Sequence, residues 1–408
     1  MKYRLKRYNS RLRGEIKLES SKSESNRALI INALAGGETT AIQNLSKARD
    51  TQTMLNLLSE KQHIYDVKDA GTTMRFFTAY LAINGTGETI TGTDRMKQRP
   101  IGPLVESLRQ IGARIDYLEN EGYPPLKIEK VKNQLTDKIS IPGNISSQYI
   151  SALLMIAPCL PKGLTIKLTT EIYSRPYIQM TLDLMMAFGV SVAWEGSEIE
   201  IQPLQYEPTK YTIEGDWSGA SYWYGFMAIA PEKGYLSLPG IRDYSSQGDK
   251  EIAQIMYHLG IASHFESGRV KLLKRKGTLN KLKLDFRNCP DLAQTVLVVA
   301  AVKGIQLEMT GLESLKIKET DRVAAMKNEL KKIGAELLEE NGSWKLIPSN
   351  DLPSSIDVDT YEDHRMAMAF APLCLLMDVT IDDPFVVEKS YPGFWDEIRK
   401  LGVKIETL

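Results

Sequence analysis

The chain repeats one pattern of apolar and polar positions. An amphipathic helical stretch ends in glycine and an apolar residue, and two short strand-like segments follow with a polar turn between them. Full copies and a final half copy read LVESLRQIGARIDYLENEGYPPLKIE, TLDLMMAFGVSVAWEGSEIEI, IAQIMYHLGIASHFESGRVKLL, MKNELKKIGAELLEENGSWKLI and WDEIRKLGVKIETL. The pattern predicts an α/β fold built from repeated units.

Five glycines end these predicted helices: Gly112, Gly189, Gly260, Gly334 and Gly402. They recur every 68 to 77 residues, and glycine is favoured after a helix because it takes the left-handed conformation without strain. A degenerate copy, TMLNLLSEKQHIYDVK, would make a sixth unit. Single cores stop growing at about 250 to 300 residues, so six units in 408 residues predict two domains of three units each.

Composition narrows the class of protein. Lys plus Arg and Asp plus Glu both number 51, so no bulk charge attracts nucleic acid or a membrane surface. The three cysteines are odd in number and show no C-x-x-C pairing, which favours reduced thiols in a cytoplasmic compartment. No apolar run approaches the roughly 18 residues of a membrane span, and we expect a soluble cytoplasmic protein.

Cations recur near the predicted helix starts, where the helix dipole favours acidic groups. They are Lys22 and Arg27 in SKSESNR, Arg75 in AGTTMR, Arg99 before Pro100, Arg322, Arg365 in EDHRMAM and Lys389 in VEKSYPGF. One such cation is usually a solvated surface residue. Several of them beside Ser, Thr or Gly predict a shared anion-binding cleft, because free N–H groups and Lys or Arg together bind phosphate or carboxylate.

The stretch SLKIKETDRVAAM is expected to place Lys318, Glu319 and Arg322 in the opening turn of one helix. An ion pair with a neighbouring cation and a catalytic role are equally good interpretations of Glu319. For Asp291 in CPDLAQT, the residues alone favour a first-turn acid that serves the helix dipole. Ser146 and Ser147 fit an N-cap as well as they fit a binding site.

Taken together, the motifs resemble one family. SKSESNR, AGTTMR, RMKQRP, SSQYISALL, SRPY, CPDLAQT, KETDR, EDHRMAM and KSYPGF, in this order over nearly the whole chain, are similar to the 5-enolpyruvylshikimate-3-phosphate synthase family. The resemblance implies a two-domain inside-out α/β barrel of six βαβαββ units, with helix N-termini facing an interdomain cleft. The implied domains are residues 1–17 with 214–408, and residues 18–213.

The resemblance also implies a reaction, in which the enolpyruvyl group of phosphoenolpyruvate is transferred to the 5-hydroxyl of shikimate 3-phosphate and phosphate is released. Asp291 would be the base, Glu319 the proton carrier, and Lys22 would touch both substrates. The implied shikimate-side residues are Lys22, Ser23, Arg27, Ser146, Ser147, Gln148, Ser174, Tyr177, Asp291 and Lys318. The implied phosphoenolpyruvate-side residues are Gly71, Arg99, Arg322, Arg365 and Lys389.

No cofactor or metal is implied, and no metal-ligand spacing such as H-E-x-x-H is present. The family expectation is a monomer whose cleft closes on its anionic ligands. Three positions depart from the family pattern: Asp69 replaces the usual Asn, Phe76 the common Pro, and Ser314 the usual Asn. Asp69 should weaken phosphoenolpyruvate binding unless it pairs with a cation, and Phe76 could alter sensitivity to the family inhibitor glyphosate.

Three alternatives stay open at this point. The first is the sister enolpyruvyl transferase that acts on UDP-N-acetylglucosamine, against which no Cys lies in a polar loop suited to a reactive acid. The second is a non-catalytic phospho-metabolite binder of the same fold. The third is a repeat-built clamp or nucleic-acid binder, which the neutral net charge and the lack of basic runs with aromatics disfavour.

Overall fold

The computed structural model describes residues 1–231, 234–277 and 279–408. The α-helices in these residues are α1 (Lys22–Leu34), α2 (Arg49–Ser59), α3 (Gly71–Asn84), α4 (Asp94–Lys97), α5 (Gly102–Ile111), α6 (Ser147–Ile156), α7 (Arg175–Ala187), α8 (Trp217–Ile229), α9 (Ile252–His258), α10 (Ala293–Val302), α11 (Arg322–Lys332), α12 (His364–Phe370) and α13 (Phe394–Lys400).

The strands are β1 (Lys2–Leu5), β2 (Arg13–Glu15), β3 (Ile42–Gln43), β4 (Ile64–Asp66), β5 (Thr86–Thr91), β6 (Arg114–Tyr117), β7 (Leu126–Glu129), β8 (Lys138–Ile141), β9 (Leu164–Leu168), β10 (Val192–Glu195), β11 (Glu198–Ile201), β12 (Tyr211–Thr212), β13 (Tyr235–Pro239), β14 (Ile261–Glu266), β15 (Arg269–Lys274), β16 (Lys281–Asp285), β17 (Gln306–Thr310), β18 (Glu336–Glu340), β19 (Ser343–Ile347), β20 (Ser355–Val358), β21 (Asp378–Asp382) and β22 (Ile405–Thr407).

The chain divides into two compact units. Unit 1 consists of Met1–Ser20 and Glu214–Leu408, and unit 2 of Ser21–Ile213. Each unit has its own hydrophobic core, in which buried helices such as α8 and α10 in unit 1 and α3 and α6 in unit 2 contribute apolar side chains. No helix of the described residues combines the length and apolar character that crossing a membrane requires.

The described residues of unit 1 form three four-stranded sheets of the same design. The sheet β16-β17-β19-β18 shows it: β16 and β17 are parallel, and the hairpin β18–β19 adds antiparallel to β17. In the sheet β20-β21-β1-β22, the N-terminal strand β1 lies antiparallel between β21 and β22. The half copy predicted at residues 395–408 is thus completed by the other end of the chain.

Unit 2 contains two such sheets, β4-β5-β7-β6 and β8-β9-β11-β10, and a two-stranded parallel sheet of β3 and β12. Residues 53–68 were expected to be a degenerate copy of the helix–hairpin unit, and this prediction is wrong. Its strand β4 pairs in parallel with β5 and opens the next sheet instead. The short β3–β12 pair is the third sheet of this unit.

The five helix-ending glycines confirm the repeat. Their φ angles are 119° at Gly112, 87° at Gly189, 98° at Gly260, 78° at Gly334 and 97° at Gly402. All of these values lie in the left-handed region that residues with a Cβ avoid. After each of them a strand begins within three residues. Glycine therefore connects four of these helices to a hairpin, and Gly402 connects the last helix to β22, which pairs with β1.

Two predicted helix starts are displaced. α11 begins at Arg322, and Asp321 caps it by accepting a hydrogen bond from the backbone N–H of Ala324 at 3.0 Å. Lys318 and Glu319 therefore precede the helix, because the side chain of Asp321 supplies its first acceptor. Similarly, α5 begins at Gly102, so Arg99 lies in the loop before that helix.

Candidate active site

The predicted site residues are present in both units. Unit 2 carries Lys22, Ser23, Arg27, Gly71, Arg99, Ser146, Ser147, Gln148, Ser174 and Tyr177, and unit 1 carries Asp291, Lys318, Glu319, Arg322, Arg365 and Lys389. Within each unit, many of them lie at the first turns of helices or in the loops before them.

In unit 1, the buried guanidinium of Arg322 holds three carboxylates. Nη1 lies 2.8 Å from Asp291 Oδ1, Nη2 lies 2.7 Å from Glu319 Oε2, and Nε lies 2.6 Å from Asp363 Oδ2. The side chain is 2% exposed. Charge-assisted hydrogen bonds of this length are among the strongest in proteins, so Arg322 fixes the two proposed proton-transfer residues relative to each other.

Asp291 is held from both of its carboxylate oxygens. Arg322 bonds Oδ1, Arg365 Nη2 donates to Oδ2 at 2.9 Å, and Lys318 Nζ lies 3.7 Å from Oδ1. Asp291 lies in the short 3-10 helix Pro290–Leu292 before α10. Asp291 therefore pairs with three cations, which the interpretation of an acid that only serves the helix dipole does not include, and its role in the reaction stays a prediction.

The cations set the proton affinity of Asp291. Burial by itself raises the pKa of this carboxyl, but the charges of Arg365, Lys318 and Arg322 outweigh burial and hold the pKa well below its usual range. Burial lowers the pKa of Lys318, and Asp291 opposes that effect only in part. The pKa of Arg322 is raised, because Asp363, Glu319 and Asp291 together outweigh its burial.

Glu319 is partnered by two cations from different segments. Besides Arg322, the Nζ of Lys389 lies 3.9 Å from Glu319 Oε1, and the Lys389 side chain is buried. Lys389 ends the 3-10 helix Pro384–Lys389. The ion pair predicted for Glu319 is present, and it is formed by the same residues that the family resemblance assigns to anion binding.

In unit 2, Lys22 is paired with a carboxylate that sequence reasoning missed. Lys22 Nζ lies 3.2 Å from Oδ2 of Asp50, a buried residue of α2. The other oxygen of Asp50, Oδ1, is buried and has no hydrogen-bond partner among the described residues. In the sequence, Asp50 is the acid of ARDTQT, and that position indicates only an ordinary first-turn residue of a helix.

Arg27 is enclosed by neutral acceptors. Its guanidinium donates to Thr181 Oγ1 at 2.7 Å, to the Ser23 carbonyl at 2.9 Å and to Ser151 Oγ at 3.2 Å. It also lies 5.1 Å from the ring centroid of Phe76. Burial lowers the pKa of Arg27 to about 10, as expected when a cation is desolvated without a neighbouring carboxylate to offset the cost.

Arg99 lies against the first residue of α3. A Cβ added at Gly71 would stand 2.8 Å from Arg99 Cζ and Nη2, so only glycine admits the guanidinium there. The residue is 8% exposed, and its Nε is buried without a hydrogen-bond partner in the described part of the chain. A buried cation beside a helix N-terminus is a favourable site for an anion.

The sequence grouped Arg75 with the cations of an anion-binding cleft, but in the structure its guanidinium donates to backbone carbonyls. Its Nη1 donates back to the Gly71 carbonyl at 3.0 Å and its Nη2 donates to the Pro100 carbonyl at 2.9 Å. The Tyr149 hydroxyl donates to the same Pro100 carbonyl at 2.5 Å. Arg75 and Tyr149 thus fix the loop that carries Arg99 to the start of α3.

The remaining unit 2 residues surround the starts of α6 and α7. Ser146 is the N-cap of α6 and accepts from the Gln148 N–H at 3.4 Å, and the Gln148 side chain donates to Thr72 Oγ1 at 3.0 Å. Ser147 is the first residue of α6. Ser174, with φ 55°, precedes α7, and the Tyr177 carbonyl accepts from Arg27 at 3.3 Å.

The structure places the three departures from the family pattern. Asp69 Oδ2 pairs with Arg49 Nη2 at 3.0 Å, so a neighbouring cation offsets the extra acid. Phe76 is fully buried in the core and lies under Arg27. Ser314 is in the 3-10 helix Glu313–Ile317, a short distance before Lys318. Among the described residues, no group of three or more His, Cys, Asp or Glu side chains could hold a metal ion.

The comparisons with known proteins concern the family of the whole chain. A family model described as EPSP synthase (3-phosphoshikimate 1-carboxyvinyltransferase) matches residues 6–60 and 57–398. A 3-phosphoshikimate 1-carboxyvinyltransferase of Bacteroides fragilis is 47% identical over 405 residues, which cover 97% of each chain. The enzyme of that name from Aliivibrio salmonicida is 38% identical over 428 residues, covering 97% of this chain and 98% of the relative.

The fold has a match among solved structures. An EPSP synthase from Acinetobacter baumannii aligns with a TM-score of 0.79 over 99% of both chains, at 20% sequence identity. At this identity the likeness concerns the fold alone, and it agrees with the mixed α/β architecture predicted from the repeat.

Proposed function

Since this chain belongs to the EPSP synthase (3-phosphoshikimate 1-carboxyvinyltransferase) family, we propose that it transfers the enolpyruvyl group of phosphoenolpyruvate to the 5-hydroxyl of shikimate 3-phosphate, with release of phosphate. It is a transferase of the shikimate pathway, which leads to aromatic amino acids. Neither the UDP-N-acetylglucosamine enzyme nor a non-catalytic binder is supported by the family model or by the relatives described above.

One observation carries the assignment of roles: a single buried guanidinium, Arg322, binds both Asp291 and Glu319. The reaction needs a base at the 5-hydroxyl and an acid at the methylene carbon of phosphoenolpyruvate. Asp291 is the proposed base and Glu319 the proposed proton carrier. Their common partner keeps the two groups close enough to act on one pair of reacting molecules.

The charges of the cluster explain how a carboxylate with a low pKa acts as a base. Asp291 is a weak base while Arg365, Lys318 and Arg322 face it. A phosphate or carboxylate bound by these cations offsets their charge, which raises the proton affinity of Asp291. The substrate anions would therefore make Asp291 a stronger base by offsetting the positive charge of the cations around it.

The net result of the proposed chemistry is one C–O bond formed and one C–O bond broken. The 5-oxygen, after losing its proton to Asp291, bonds to the carbon of phosphoenolpyruvate that bears the phosphate. Glu319 delivers a proton to the methylene carbon and takes one back from the resulting methyl group as the C–O bond to phosphate breaks, which restores the double bond. The proton that Asp291 took from the 5-hydroxyl leaves with the released phosphate, so both carboxyl groups return to their starting states. Cations that neutralise the developing charge stabilise these steps.

The residues of unit 2 supply further proposed contacts. Arg99 and Gly71 are assigned to phosphoenolpyruvate, because the buried guanidinium lies beside the N-terminus of α3. Lys22 is proposed to touch both substrates. The residues proposed to contact shikimate 3-phosphate are Ser23, Arg27, Ser146, Ser147, Gln148, Ser174 and Tyr177 in unit 2, and Lys318 in unit 1. Lys389 and Arg365 are proposed to bind phosphoenolpyruvate.

The implied domains, residues 1–17 with 214–408 and residues 18–213, are proposed to correspond to the two compact units, whose division falls after Ser20 and Ile213. We also propose that the protein works as a monomer in the cytoplasm. All three cysteines are free thiols, as is usual in a reducing compartment. Sedimentation velocity of the purified protein at micromolar concentration tests the monomer.

A phosphate-release assay tests the function. Release must require both shikimate 3-phosphate and phosphoenolpyruvate, must continue in EDTA, and must be lost in Glu319→Gln. Glu313→Gln is the matched control, because Glu313 is an exposed acid of the preceding 3-10 helix. Release with UDP-N-acetylglucosamine in place of shikimate 3-phosphate, or substrate binding without release, would contradict the proposal.

A further inference from the structure

The turn before α12 contains two successive non-glycine residues in the left-handed conformation. Tyr361 has φ 54° and Glu362 has φ 56°. Asp363 follows as the N-cap of α12. Bulky side chains disfavour this region of backbone conformation, so a turn with two such residues persists only where its surroundings hold it.

The surroundings that hold the turn are in α11. The Tyr361 hydroxyl donates to Glu329 Oε1 at 2.9 Å, and the backbone N–H of Asp359 donates to Glu329 Oε2 at 3.3 Å. Glu329 is fully buried, and Lys332 Nζ lies 2.8 Å from its Oε2. A buried carboxylate with these partners anchors the segment that leads into the turn.

Glu329 lies on the same face of α11 as Arg322. The two residues are seven positions apart, which is two helical turns. Arg322 binds Asp363 at one end of the turn, and Glu329 binds Tyr361 at the other. One helix face therefore holds the strained turn at both of its ends.

We propose that Glu329 and Tyr361 are positioning residues for the phosphoenolpyruvate cations Arg322 and Arg365, an inference that rests on the proposed function. Asp363 links the turn to both cations. Its Oδ1 accepts from the backbone N–H of Arg365 at 2.9 Å and so caps the helix that carries Arg365, while its Oδ2 accepts from the guanidinium Nε of Arg322. If the turn relaxes, Asp363 shifts and the two guanidinium groups lose their common alignment.

Tyr361→Phe tests the proposal, because it removes only the hydroxyl. The KM for phosphoenolpyruvate should rise about tenfold, as expected for a lost hydrogen bond to a charged acceptor, and the KM for shikimate 3-phosphate should stay within about twofold. Glycine accepts a positive φ without strain. Adding Glu362→Gly to Tyr361→Phe should therefore restore most of the lost phosphoenolpyruvate affinity.

Tyr224→Phe is the matched control, since it removes another tyrosine hydroxyl of unit 1, the one 2.7 Å from Ser263 Oγ. It should cost comparable stability and leave both KM values unchanged. The proposal is overturned if Tyr361→Phe raises both KM values equally, if it raises neither, or if Glu362→Gly gives no recovery. A purely structural role would lower the melting temperature of Tyr361→Phe without this selectivity.

A binding measurement separates this inference from the proposed function. If the wild type releases no phosphate from the two substrates, the proposed function fails. The positioning role is then judged from the rise in melting temperature that phosphoenolpyruvate causes, which should be smaller in Tyr361→Phe than in the wild type and restored by Glu362→Gly. Equal rises in wild type and Tyr361→Phe overturn the inference, and no rise in the wild type overturns both.

Discussion

The guanidinium of Arg99 occupies the space in which any residue other than glycine at position 71 would place its Cβ. An added Cβ would lie 2.8 Å from Arg99 Cζ, a distance at which the side chain has to move. Gly71→Ala should therefore displace Arg99 and raise the KM for phosphoenolpyruvate by roughly tenfold or more, because a small misplacement of a binding group is costly. Steady-state kinetics with phosphoenolpyruvate as the varied substrate measure the effect.

Gly102→Ala is the control for this change. Gly102 is also the first residue of a helix in unit 2, and its added Cβ would meet nothing closer than 3.5 Å. It should leave the KM for phosphoenolpyruvate close to that of the wild type. Equal effects of the two alanine variants would contradict a specific contact between Gly71 and Arg99.

Substitution of Arg75 should mainly lower the stability of the protein, whereas substitution of Arg99 should mainly weaken phosphoenolpyruvate binding. Arg75 satisfies two backbone carbonyls, so Arg75→Met should lower the free energy of unfolding by about 2 to 4 kcal/mol. Arg99 is a buried cation whose Nε has no hydrogen-bond partner in the described residues. Arg99→Met should leave the protein as stable as the wild type or about 1 kcal/mol more stable, while it weakens phosphoenolpyruvate binding strongly.

Urea unfolding of both methionine variants, beside phosphoenolpyruvate titrations, provides the measurement. The result that contradicts this distinction is a loss of stability in Arg99→Met as large as that in Arg75→Met. Such a loss would mean that Arg99, like Arg75, stabilises the fold and does not serve mainly to bind an anion.

Lys318 should limit activity at alkaline pH. Burial lowers the pKa of this ammonium group, and the opposing charge of Asp291 does not restore it. As pH rises, Lys318 therefore loses its positive charge earlier than an ordinary lysine, and affinity for the shikimate 3-phosphate anion should fall with it. Lys318→Arg should shift this fall to higher pH, because guanidinium stays protonated. A pH profile of kcat/KM for shikimate 3-phosphate that is identical in both proteins would refute the assignment.

The repeat could be predicted from sequence because its signals are local. A glycine after an amphipathic helix marks a left-handed residue wherever the helix is, and all five such glycines have positive φ. The insertion of β1 between β21 and β22 could not be predicted in the same way. That pairing joins residues near opposite ends of the chain, and no spacing in the sequence encodes it.

Sequence reasoning identified the cations of the candidate site more readily than the groups that they contact. The helix-start argument treated Arg75 and Arg99 alike, and only the family resemblance distinguished them by assigning Arg99 to phosphoenolpyruvate. Only packing shows that Arg75 turns back to two carbonyls while Arg99 lies against Gly71. Asp50 and Asp363 were missed because an acid at the start of a helix is explained by the dipole alone, and their bonds to Lys22 and Arg322 come from distant segments.

Asp291 should contribute strongly to stability at neutral pH. Its carboxylate separates Arg322, Arg365 and Lys318, which would repel one another without it. Asp291→Asn should thus lower the free energy of unfolding by about 3 to 5 kcal/mol, the usual cost of breaking a buried ion pair. Urea unfolding at pH 7 measures the difference between the variant and the wild type.

The pH dependence of that difference follows from the lowered pKa of Asp291. A carboxyl whose pKa is lower in the folded than in the unfolded protein stabilises the fold fully above its unfolded value of about 3.9, and this contribution is lost as pH falls through the folded pKa. The stability difference between wild type and Asp291→Asn should therefore stay constant from pH 7 to about pH 5 and shrink below about pH 4. A difference that grows as the solution is acidified would show that Asp291 is not the ionised partner of these cations.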